Sequence, residues 1–273
     1  MEQRRNASHP SVDFAGRRWN VIETGGARVY RAESDLRLTL LDNPGDRYQN
    51  AQIDDCSSLG PRAFLWRPPL TMTVVARTSH PAATPGHLHP LHLGGTAGFG
   101  FWNVPLTLGG GGVRLPDAVW FFYASPSSRM ELVPGLPGYG WKAQCVHSHR
   151  WDALALGIPY VGAAAWARVT GRRTAAAHLI QRIAGAQEVP LHVSMDDWHT
   201  YTILYSVHAA DFFVDGSPVL TVRNPPPGPL GFVAWIDNQY AVVAPEGRIR
   251  FGVEPTHAQW MELRSATIRG SVS

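Results

Sequence analysis

Two neighbouring segments in the last third of the chain indicate its fold. Residues 198–203 read WHTYTI, and residues 211–216 read DFFVDG. Both are rich in aromatic and β-branched residues, which favour strands, and an Asp-Gly pair such as Asp215-Gly216 is typical of a tight hairpin turn. The apolar run at residues 219–222 completes a meander. We therefore expect antiparallel strands here, with an aromatic residue entering the core where the first strand begins.

Short apolar runs of the same kind extend through the rest of the chain. Residues 36–40, LRLTL, alternate with period two, which is typical of a strand buried on one face. The Gly25-Gly26 pair between residues 19–23 and 27–32 predicts a hairpin. Further strands are predicted over residues 51–53, 70–76, 98–102, 118–124, 141–146, 231–235, 241–243, 249–252 and 260–268. This pattern predicts an all-β sandwich or jelly roll.

One stretch departs from the β pattern. Residues 174–184 are rich in alanine and carry apolar residues at helical spacing. We therefore predict a short helical insertion at about residues 153–185. The insertion interrupts a single β-sandwich domain, residues 13–273, which follows a flexible tail, residues 1–12.

Composition and charge restrict the classes of partner. Hydrophobic residues make up 44% of the chain and charged residues 16%, which suits a large core and argues against disorder. The net charge of +3 is scattered, without the basic and aromatic run that binds nucleic acid. No apolar run reaches the ~18 residues of a membrane span. We expect a soluble protein with neither nucleic-acid nor membrane partners. It is cytoplasmic as the sequence stands, or secreted if a signal peptide was removed, and its oligomeric state is left open.

The WHTYTI and DFFVDG segments resemble a hairpin of concanavalin A-like lectin/glucanase domains, notably laminarinase-type β-glucanases and pentraxin- or laminin-G-like modules. Three upstream segments agree with the order of strands in that superfamily, namely residues 36–40, 49–54 and 98–103. The resemblance covers roughly residues 20–265 in layout. It implies a jelly-roll sandwich of two antiparallel sheets, and a carbohydrate or small-molecule ligand in a concave groove.

The catalytic motif of that superfamily is absent from the expected place. Laminarinase-like enzymes carry Glu-x-Asp-x-x-Glu on one strand, where two carboxylates act as nucleophile and general acid. The corresponding strand here, residues 118–124, reads AVWFFYA and contains no acid. The Glu33-Ser34-Asp35 sequence lacks the second Glu and precedes a different strand. The usual glucanase mechanism is therefore not expected, and whether the protein is an enzyme stays open.

Four aromatic residues are candidates for the lining of a groove: Trp102, Trp120, Phe122 and Trp141. Aromatic faces stack on sugar rings and on other flat apolar ligands. Trp120 and Phe122 are two positions apart, so they share one face of their strand. The alternative is that one face of that strand fills the core. Lys142 is interpreted as a surface lysine, with a ligand carboxylate as its alternative partner.

Polar candidates come from two segments. Asp237 and Asn238 interrupt apolar strands and could hydrogen-bond ligand hydroxyl groups, or form only an Asx turn. Gln52, Asp54 and Asp55 offer similar groups, with an Asp-rich turn as the alternative. The predicted ligand-binding residues are Gln52, Trp102, Trp120, Phe122, Trp141, Asp237, Asn238 and Tyr240. If the protein is an enzyme, Asp237 and Asp54 are the acid/base candidates, because burial can raise the pKa of a carboxyl group.

No cofactor is predicted, although a calcium ion bound by carbonyl groups and one carboxylate is left open. The His87-x-His89-x-x-His92 spacing has no fourth ligand nearby, and we interpret it as an ordinary loop rather than a zinc site. Cys56 and Cys145 are expected to be small buried residues, with a single disulfide bridge as the alternative.

Three functions follow from these candidates. The first is binding of a carbohydrate or similar small ligand in an aromatic-lined groove. The second is an enzyme of another mechanism, acting on a small metabolite or glycan in a groove that the helical insertion covers. The third is a structural or interaction module, which aromatic residues buried between the sheets would favour.

Overall fold

The described part of the chain is built of β-strands. A computed structural model describes residues 10–57, 64–83, 91–103, 117–133, 135–147, 185–243 and 249–272. Within these ranges no helix is long and apolar enough to cross a membrane. The strands are β1 (Ser11–Phe14), β2 (Arg17–Thr24), β3 (Arg28–Ala32), β4 (Asp35–Leu40), β5 (Asn50–Asp54), β6 (Trp66–Thr78), β7 (Thr96–Trp102), β8 (Asp117–Ala124), β9 (Arg129–Met130), β10 (Gly140–His147), β11 (Ala186–Pro190), β12 (His199–Tyr205), β13 (Ala209–Val214), β14 (Ser217–Arg223), β15 (Gly231–Asp237), β16 (Gln239–Val243), β17 (Ile249–Val253) and β18 (Gln259–Val272).

These strands form two large antiparallel sheets and one small sheet. The eight-stranded sheet has the order β1-β2-β5-β15-β7-β8-β10-β11, and the seven-stranded sheet has the order β14-β13-β12-β6-β18-β4-β3. Strands β4 to β7 alternate between the two large sheets, as in a jelly roll. The small sheet has the order β17-β16-β9. The predicted all-β sandwich of two antiparallel sheets is therefore confirmed.

The core lies between the two large sheets. In β4 the residues alternate between buried and partly exposed, so the leucines of DLRLTL point inward. Across the core, Tyr201 of the seven-stranded sheet packs against Phe99 and Phe121 of the eight-stranded sheet, with ring centroids 5.1 and 5.0 Å away. One hydrophobic cluster thus contains side chains from both sheets.

The meander predicted from the hairpin segments is present, since β12 pairs with β13 and β13 pairs with β14. Asp215 lies at the turn between β13 and β14 with φ of 50°. Its carboxylate accepts a hydrogen bond from the Thr200 amide at 2.8 Å and contacts His199 Nδ1 at 2.6 Å, which ties this turn to the start of β12. The aromatic residue that enters the core is Tyr201. Trp198, which begins the motif, stays partly exposed outside it.

The hairpin predicted around Gly25-Gly26 is wrong. Strand β2 pairs with β1 and β5 in the eight-stranded sheet, whereas β3 pairs with β4 in the seven-stranded sheet. The turn therefore carries the chain from one sheet to the other. Both glycines have positive φ, and a Cβ on Gly25 would lie 2.0 Å from the Tyr48 carbonyl oxygen, so the close approach of the two backbones requires glycine.

Some predictions concern residues that the structure does not describe. The helical insertion at 153–185 lies outside the described residues apart from Gly185, and His87 and His89 also lie outside them. Strand β1 begins at Ser11, inside the segment that was predicted as a tail.

Both cysteines are buried and free. Cys145 belongs to the core cluster, and Cys56 follows β5. Burial raises the pKa of both thiols. The interpretation of the cysteines as small buried residues is confirmed, and no bridge joins them.

Candidate functional site

The outer face of the eight-stranded sheet carries aromatic side chains. Four rings, on β7, β8 and β15, project from the side opposite the core and contact one another. Their neighbouring centroids are 5.2 to 6.2 Å apart, and two of the rings stack at an interplanar angle of 20°. We call this surface the aromatic face, and its residues are Trp102, Trp120, Phe122 and Trp235.

Two glycines in β7 make room for these rings. Gly98 lies opposite Trp235 on one side and Phe122 on the other, and Gly100 lies opposite Trp120. A Cβ on Gly98 would lie 2.9 Å from Trp235 Cη2, and a Cβ on Gly100 would lie 2.5 Å from the Cα of Trp120. Because neither Cβ fits, Gly98 leaves room for the Trp235 indole, and Gly100 allows the close approach of β8 at Trp120.

The three indole N–H groups differ in their partners. Trp235 donates to Thr96 Oγ1 at 2.9 Å, and Trp120 donates to Gln144 Oε1 at 2.7 Å. The Nε1 atom of Trp102 is buried and has no partner. Trp102 and Trp120 are partly exposed, whereas Trp235 and Phe122 are each only 8% exposed. The first two tryptophans therefore offer most of the accessible ring surface.

A buried ion pair holds one side of the aromatic face. Lys142 Nζ lies 2.7 Å from Glu188 Oε1, and the two side chains are 3% and 0% exposed. Gln144 donates to the other carboxylate oxygen of Glu188 at 2.5 Å and accepts the indole N–H of Trp120. Lys142 also donates to the carbonyl oxygen of Pro137. The interpretation of Lys142 as a surface lysine is wrong, because a neighbouring strand supplies a carboxylate that lets it be buried.

Asp54 lies on the opposite side of the aromatic face, at the end of β5. Its carboxylate accepts hydrogen bonds from Asn20 Nδ2 at 3.1 Å and Gln52 Nε2 at 2.8 Å. It also accepts the backbone N–H groups of Cys56 and Ser57 at 3.0 and 2.7 Å. Asp54 is therefore engaged in holding the turn after β5, while Gln52 remains partly exposed.

Asp237 ends β15 on the same face and is buried. It accepts hydrogen bonds from Thr96 Oγ1 at 2.8 Å, from the Gln239 amide at 3.1 Å and from Tyr48 Oη at 3.2 Å. Burial raises the pKa of Asp237 to about 6, although these hydrogen bonds act in the opposite direction. Across the strand pair lies Asn50, whose Oδ1 atom is buried without a partner.

The two acid/base candidates are far apart. Asp237 pairs with Asn50 in the sheet, and Asp54 lies four residues further along β5. With ~3.3 Å per residue and ~4.8 Å between strands, their Cα atoms are separated by about 14 Å. Paired glycosidase carboxylates stand only ~5–9.5 Å apart. On β8 the positions facing this way are Ala118, Trp120, Phe122 and Ala124, so the strand carries no acid there.

Trp141 is not brought to the aromatic face. It points into the core, where its ring lies 5.8 Å from Phe99 and 5.5 Å from Tyr201. Lys142, the next residue, points to the aromatic face instead. Adjacent strand residues project to opposite faces, so only one of the two can line it.

Asn238 and Tyr240 also lie off the aromatic face. Asn238 is buried and joins two loops, since its Oδ1 accepts the Gln49 amide at 2.7 Å and its Nδ2 donates to the Arg47 carbonyl at 3.0 Å. Tyr240 is in β16 of the small sheet, with the Arg250 guanidinium 5.7 Å from its ring centroid.

Sequence reasoning missed three residues of this site: Trp235, Gln144 and Glu188. Trp235 could have been found, because it precedes Asp237 by two positions on one strand and must share its face. The pairing of β10 with β11, which brings Glu188 to Gln144, has no local signal in the sequence.

Among the described residues, no group of three or more His, Cys, Asp or Glu side chains could hold a metal ion. A bound calcium ion, which the sequence analysis left open, is not tested by this observation. Neither a family model nor a curated protein matches the chain.

Several solved structures resemble the chain. The β-glucanase of Bacillus licheniformis is 10% identical, with 92% of each chain covered and a TM-score of 0.49. A pseudo β-1,3-glucanase of Mycobacterium tuberculosis is 12% identical, with 88% of this chain and 76% of that chain covered and a TM-score of 0.47. The laminarinase of Flavobacterium sp. UMI-01 is 10% identical, with 89% and 81% covered and a TM-score of 0.45.

Proposed function

We propose that the aromatic face binds a carbohydrate. The observation that supports this proposal is the position of the four rings, which lie on the outer face of the sheet rather than between the sheets. Rings buried between the two sheets would instead favour a purely structural role for these residues. Indole faces bury the apolar face of a sugar ring, and the surrounding amides and carboxylates can hydrogen-bond its hydroxyl groups.

Two buried polar atoms support a hydroxyl-rich ligand. Trp102 Nε1 is a donor without a partner, and Asn50 Oδ1 is an acceptor without a partner. An unsatisfied buried group costs about 1–3 kcal/mol, which a ligand hydroxyl would recover because a hydroxyl both donates and accepts. Gln52, which is partly exposed and lies between Asn50 and Asp54 on β5, adds a further amide.

The charged groups of this face already have partners within the protein. Lys142 is paired with Glu188, and the Asp54 carboxylate accepts hydrogen bonds from four neutral N–H groups. A charged ligand would have to displace these contacts, so a neutral sugar fits better than an acidic or amino sugar.

Asp237 favours a second candidate, an enzyme that uses one carboxyl group. A pKa of about 6 suits a general acid or base at neutral pH. Its neighbour Tyr48 donates a hydrogen bond to it at 3.2 Å and could relay a proton.

If Asp237 is the catalytic acid or base, Asp237→Asn abolishes turnover and changes the dissociation constant of the same sugar by less than about threefold. Product formation measures the turnover, and calorimetry measures the binding.

Binding can be tested by isothermal calorimetry with neutral oligosaccharides, namely β-1,3- and β-1,4-linked glucose, xylose and mannose oligomers. We expect at least one class to bind. Trp120→Ala should weaken binding about tenfold or more, equivalent to about 1.4 kcal/mol, because a stacking surface is lost. The matched variant Trp120→Phe, which keeps an aromatic ring but loses the N–H group, should retain most of the affinity.

Two outcomes would contradict the proposal. One is no binding by any class of neutral oligosaccharide to the folded protein. The other is binding that Trp120→Ala and Trp102→Ala both leave unchanged. Either result would assign the aromatic face to an interaction with another macromolecule.

A further inference from the structure

The outer face of the seven-stranded sheet carries a ladder of alternating arginine and tryptophan side chains. Arg264 Cζ lies 4.0 Å from the centroid of the Trp198 ring, and Arg77 Cζ lies 4.7 Å from the same ring. Arg77 is also 5.3 Å from Trp260, which Arg37 approaches to 4.5 Å. Five side chains, from β4, β6, β18 and the residue that precedes β12, are thereby stacked in one row, which we call the arginine ladder.

A buried carboxylate fixes the orientation of two of these arginines. Glu262 accepts Arg37 Nε and Nη2 at 3.1 and 2.8 Å through one oxygen, and Arg77 Nε and Nη2 at 3.0 and 2.9 Å through the other. Each guanidinium has five N–H groups, so three remain on Arg77 for another partner, and two remain on Arg37, which also hydrogen-bonds Tyr30. Because Glu262 holds both guanidinium groups in a fixed orientation, the two arginine side chains would lose little conformational entropy when an anion binds.

The ladder carries a surplus of positive charge. Its three arginines face two carboxylates, those of Glu262 and Asp35, and the Arg264–Asp35 separation is 3.9 Å. Arg269, further along β18, is exposed and adds a fourth guanidinium. This surplus favours an anionic ligand.

Hydroxyl groups lie along the same strip of sheet. Thr202, Thr73 and Thr267 are directly opposite one another on three adjacent strands, on the face away from the core. Ser265 follows on β18, between Arg264 and Thr267. The strip therefore offers guanidinium groups with hydroxyl donors and acceptors between them, which suits a ligand that is both charged and hydroxylated.

The stacking leaves little ring surface for nucleic-acid bases. Trp198 and Trp260 each have two guanidinium groups within 5.3 Å of the ring centroid. Proteins that bind single-stranded nucleic acid stack bases on free aromatic faces. The ladder is thus better suited to carboxylate or sulfate groups than to bases.

We propose that the arginine ladder is a second binding site, independent of the aromatic face, and that its ligand is an acidic polysaccharide. The anionic groups of the polymer contact the outer N–H groups of Arg37, Arg77 and Arg264, and its hydroxyl groups lie over the threonine strip. A single exposed ion pair is worth only about 0.2–1 kcal/mol. Several contacts along one polymer are therefore needed, and a monosaccharide acid should not bind measurably.

Binding is measured by calorimetry at about 50 mM salt, where screening is moderate. The probes are polygalacturonate for carboxylate, heparin for sulfate, dextran as a neutral polymer, galacturonic acid as a monomer and a short DNA duplex. We expect binding of one or both acidic polysaccharides, a dissociation constant that rises with salt, and none for dextran or the monomer. The two acidic probes distinguish carboxylate from sulfate recognition.

The critical variant is Arg264→Gln combined with Arg269→Gln, both at exposed positions. Its matched control is Arg18→Gln combined with Arg250→Gln, which removes two exposed arginines elsewhere and lowers the net charge from +3 to +1 in the same way. We expect the ladder variant to weaken binding about tenfold or more and the control to change it less than about threefold. Trp120→Ala should have no effect.

Equal losses in the two double variants would overturn the proposal, since they would indicate attraction by net charge alone. So would the failure of both acidic polysaccharides to bind, or dextran binding as tightly as they do. DNA that binds more tightly than either polysaccharide would assign the ladder to nucleic acid instead.

Discussion

Trp141 and Lys142 show how much the direction of a single side chain matters. They are adjacent in β10, yet Trp141 packs in the core and Lys142 lies against the aromatic face. Judged by residue type alone, tryptophan is the better ligand-binding candidate and lysine the better surface residue. The alternation of side chains along β10 reverses both expectations, because it points Trp141 into the core and Lys142 to the outer face.

Asp237 makes stability depend on pH in a predictable direction. Burial raises its pKa from 3.8 to about 6, so the folded state holds the proton more tightly than the unfolded state. Its stabilising contribution is complete below pH ~4 and is lost as the pH rises through 6. A shift of this size corresponds to about 3 kcal/mol.

We therefore expect the free energy of unfolding of the wild type, relative to Asp237→Asn, to fall by about 2 kcal/mol between pH 4 and pH 7, because part of the ~3 kcal/mol is already lost at pH 4. Urea denaturation at unit intervals of pH measures it. Asp46→Asn, at an exposed position, is the control and should follow the wild type at every pH. Parallel pH profiles for the wild type and Asp237→Asn would show that Asp237 titrates normally.

At the scale of secondary-structure elements, the pairing of β10 with β11 creates a buried polar network. The register places Gln144 opposite Glu188, and Lys142 reaches the same carboxylate. Desolvation of two charges is costly, and only the mutual attraction and the added hydrogen bonds offset it. The network also orients the Trp120 indole through Gln144.

Glu188→Leu should therefore destabilise the protein by about 3–5 kcal/mol, because it leaves Lys142 buried and uncompensated. The double variant Lys142→Met/Glu188→Leu should recover more than half of that loss. Chemical denaturation of the wild type, both single variants and the double variant measures the coupling. As a control, replacing the exposed Arg28–Glu23 pair by alanines should change stability by less than about 1 kcal/mol. A double variant no more stable than Glu188→Leu would contradict this account.

At the scale of the whole molecule, the two large sheets share one core. Tyr201 packs against Phe99, Phe121 and Trp141 of the other sheet, and Phe212 joins the same cluster. Neither sheet can lose this contact without exposing the inner face of the other. Unfolding should therefore be cooperative across the sandwich.

We expect tryptophan fluorescence and far-UV circular dichroism to give coincident urea transitions. Tyr201→Leu should shift both transitions by the same amount, equivalent to about 2 kcal/mol, because a cavity opens between the sheets. Tyr30→Leu is the control, since Tyr30 is 44% exposed, and its effect should stay within about 0.5 kcal/mol. Transitions that separate for the two probes would mean that the sheets unfold independently.

The amino-acid sequence determines the local structure of this protein. Period-two alternation in residues 36–40 and the Asp215-Gly216 turn each act within a few residues, so the strands, the meander and the all-β class could be predicted. The shared face of Trp120 and Phe122 is equally local, because it depends only on their spacing.

The tertiary structure alone decides which strands are neighbours. The Gly25-Gly26 turn looks like a hairpin, yet it crosses between sheets, because the inner faces of β2 and β3 are buried against different partners. The arginine ladder joins residues 37, 77, 198, 260 and 264, and the aromatic face joins residues 102, 120, 122 and 235. The period-two alternation of side chains predicts which of them share a face of one strand. The order and register of strands that are distant in sequence depend on the packing of the whole core. Both proposed binding surfaces depend on that packing.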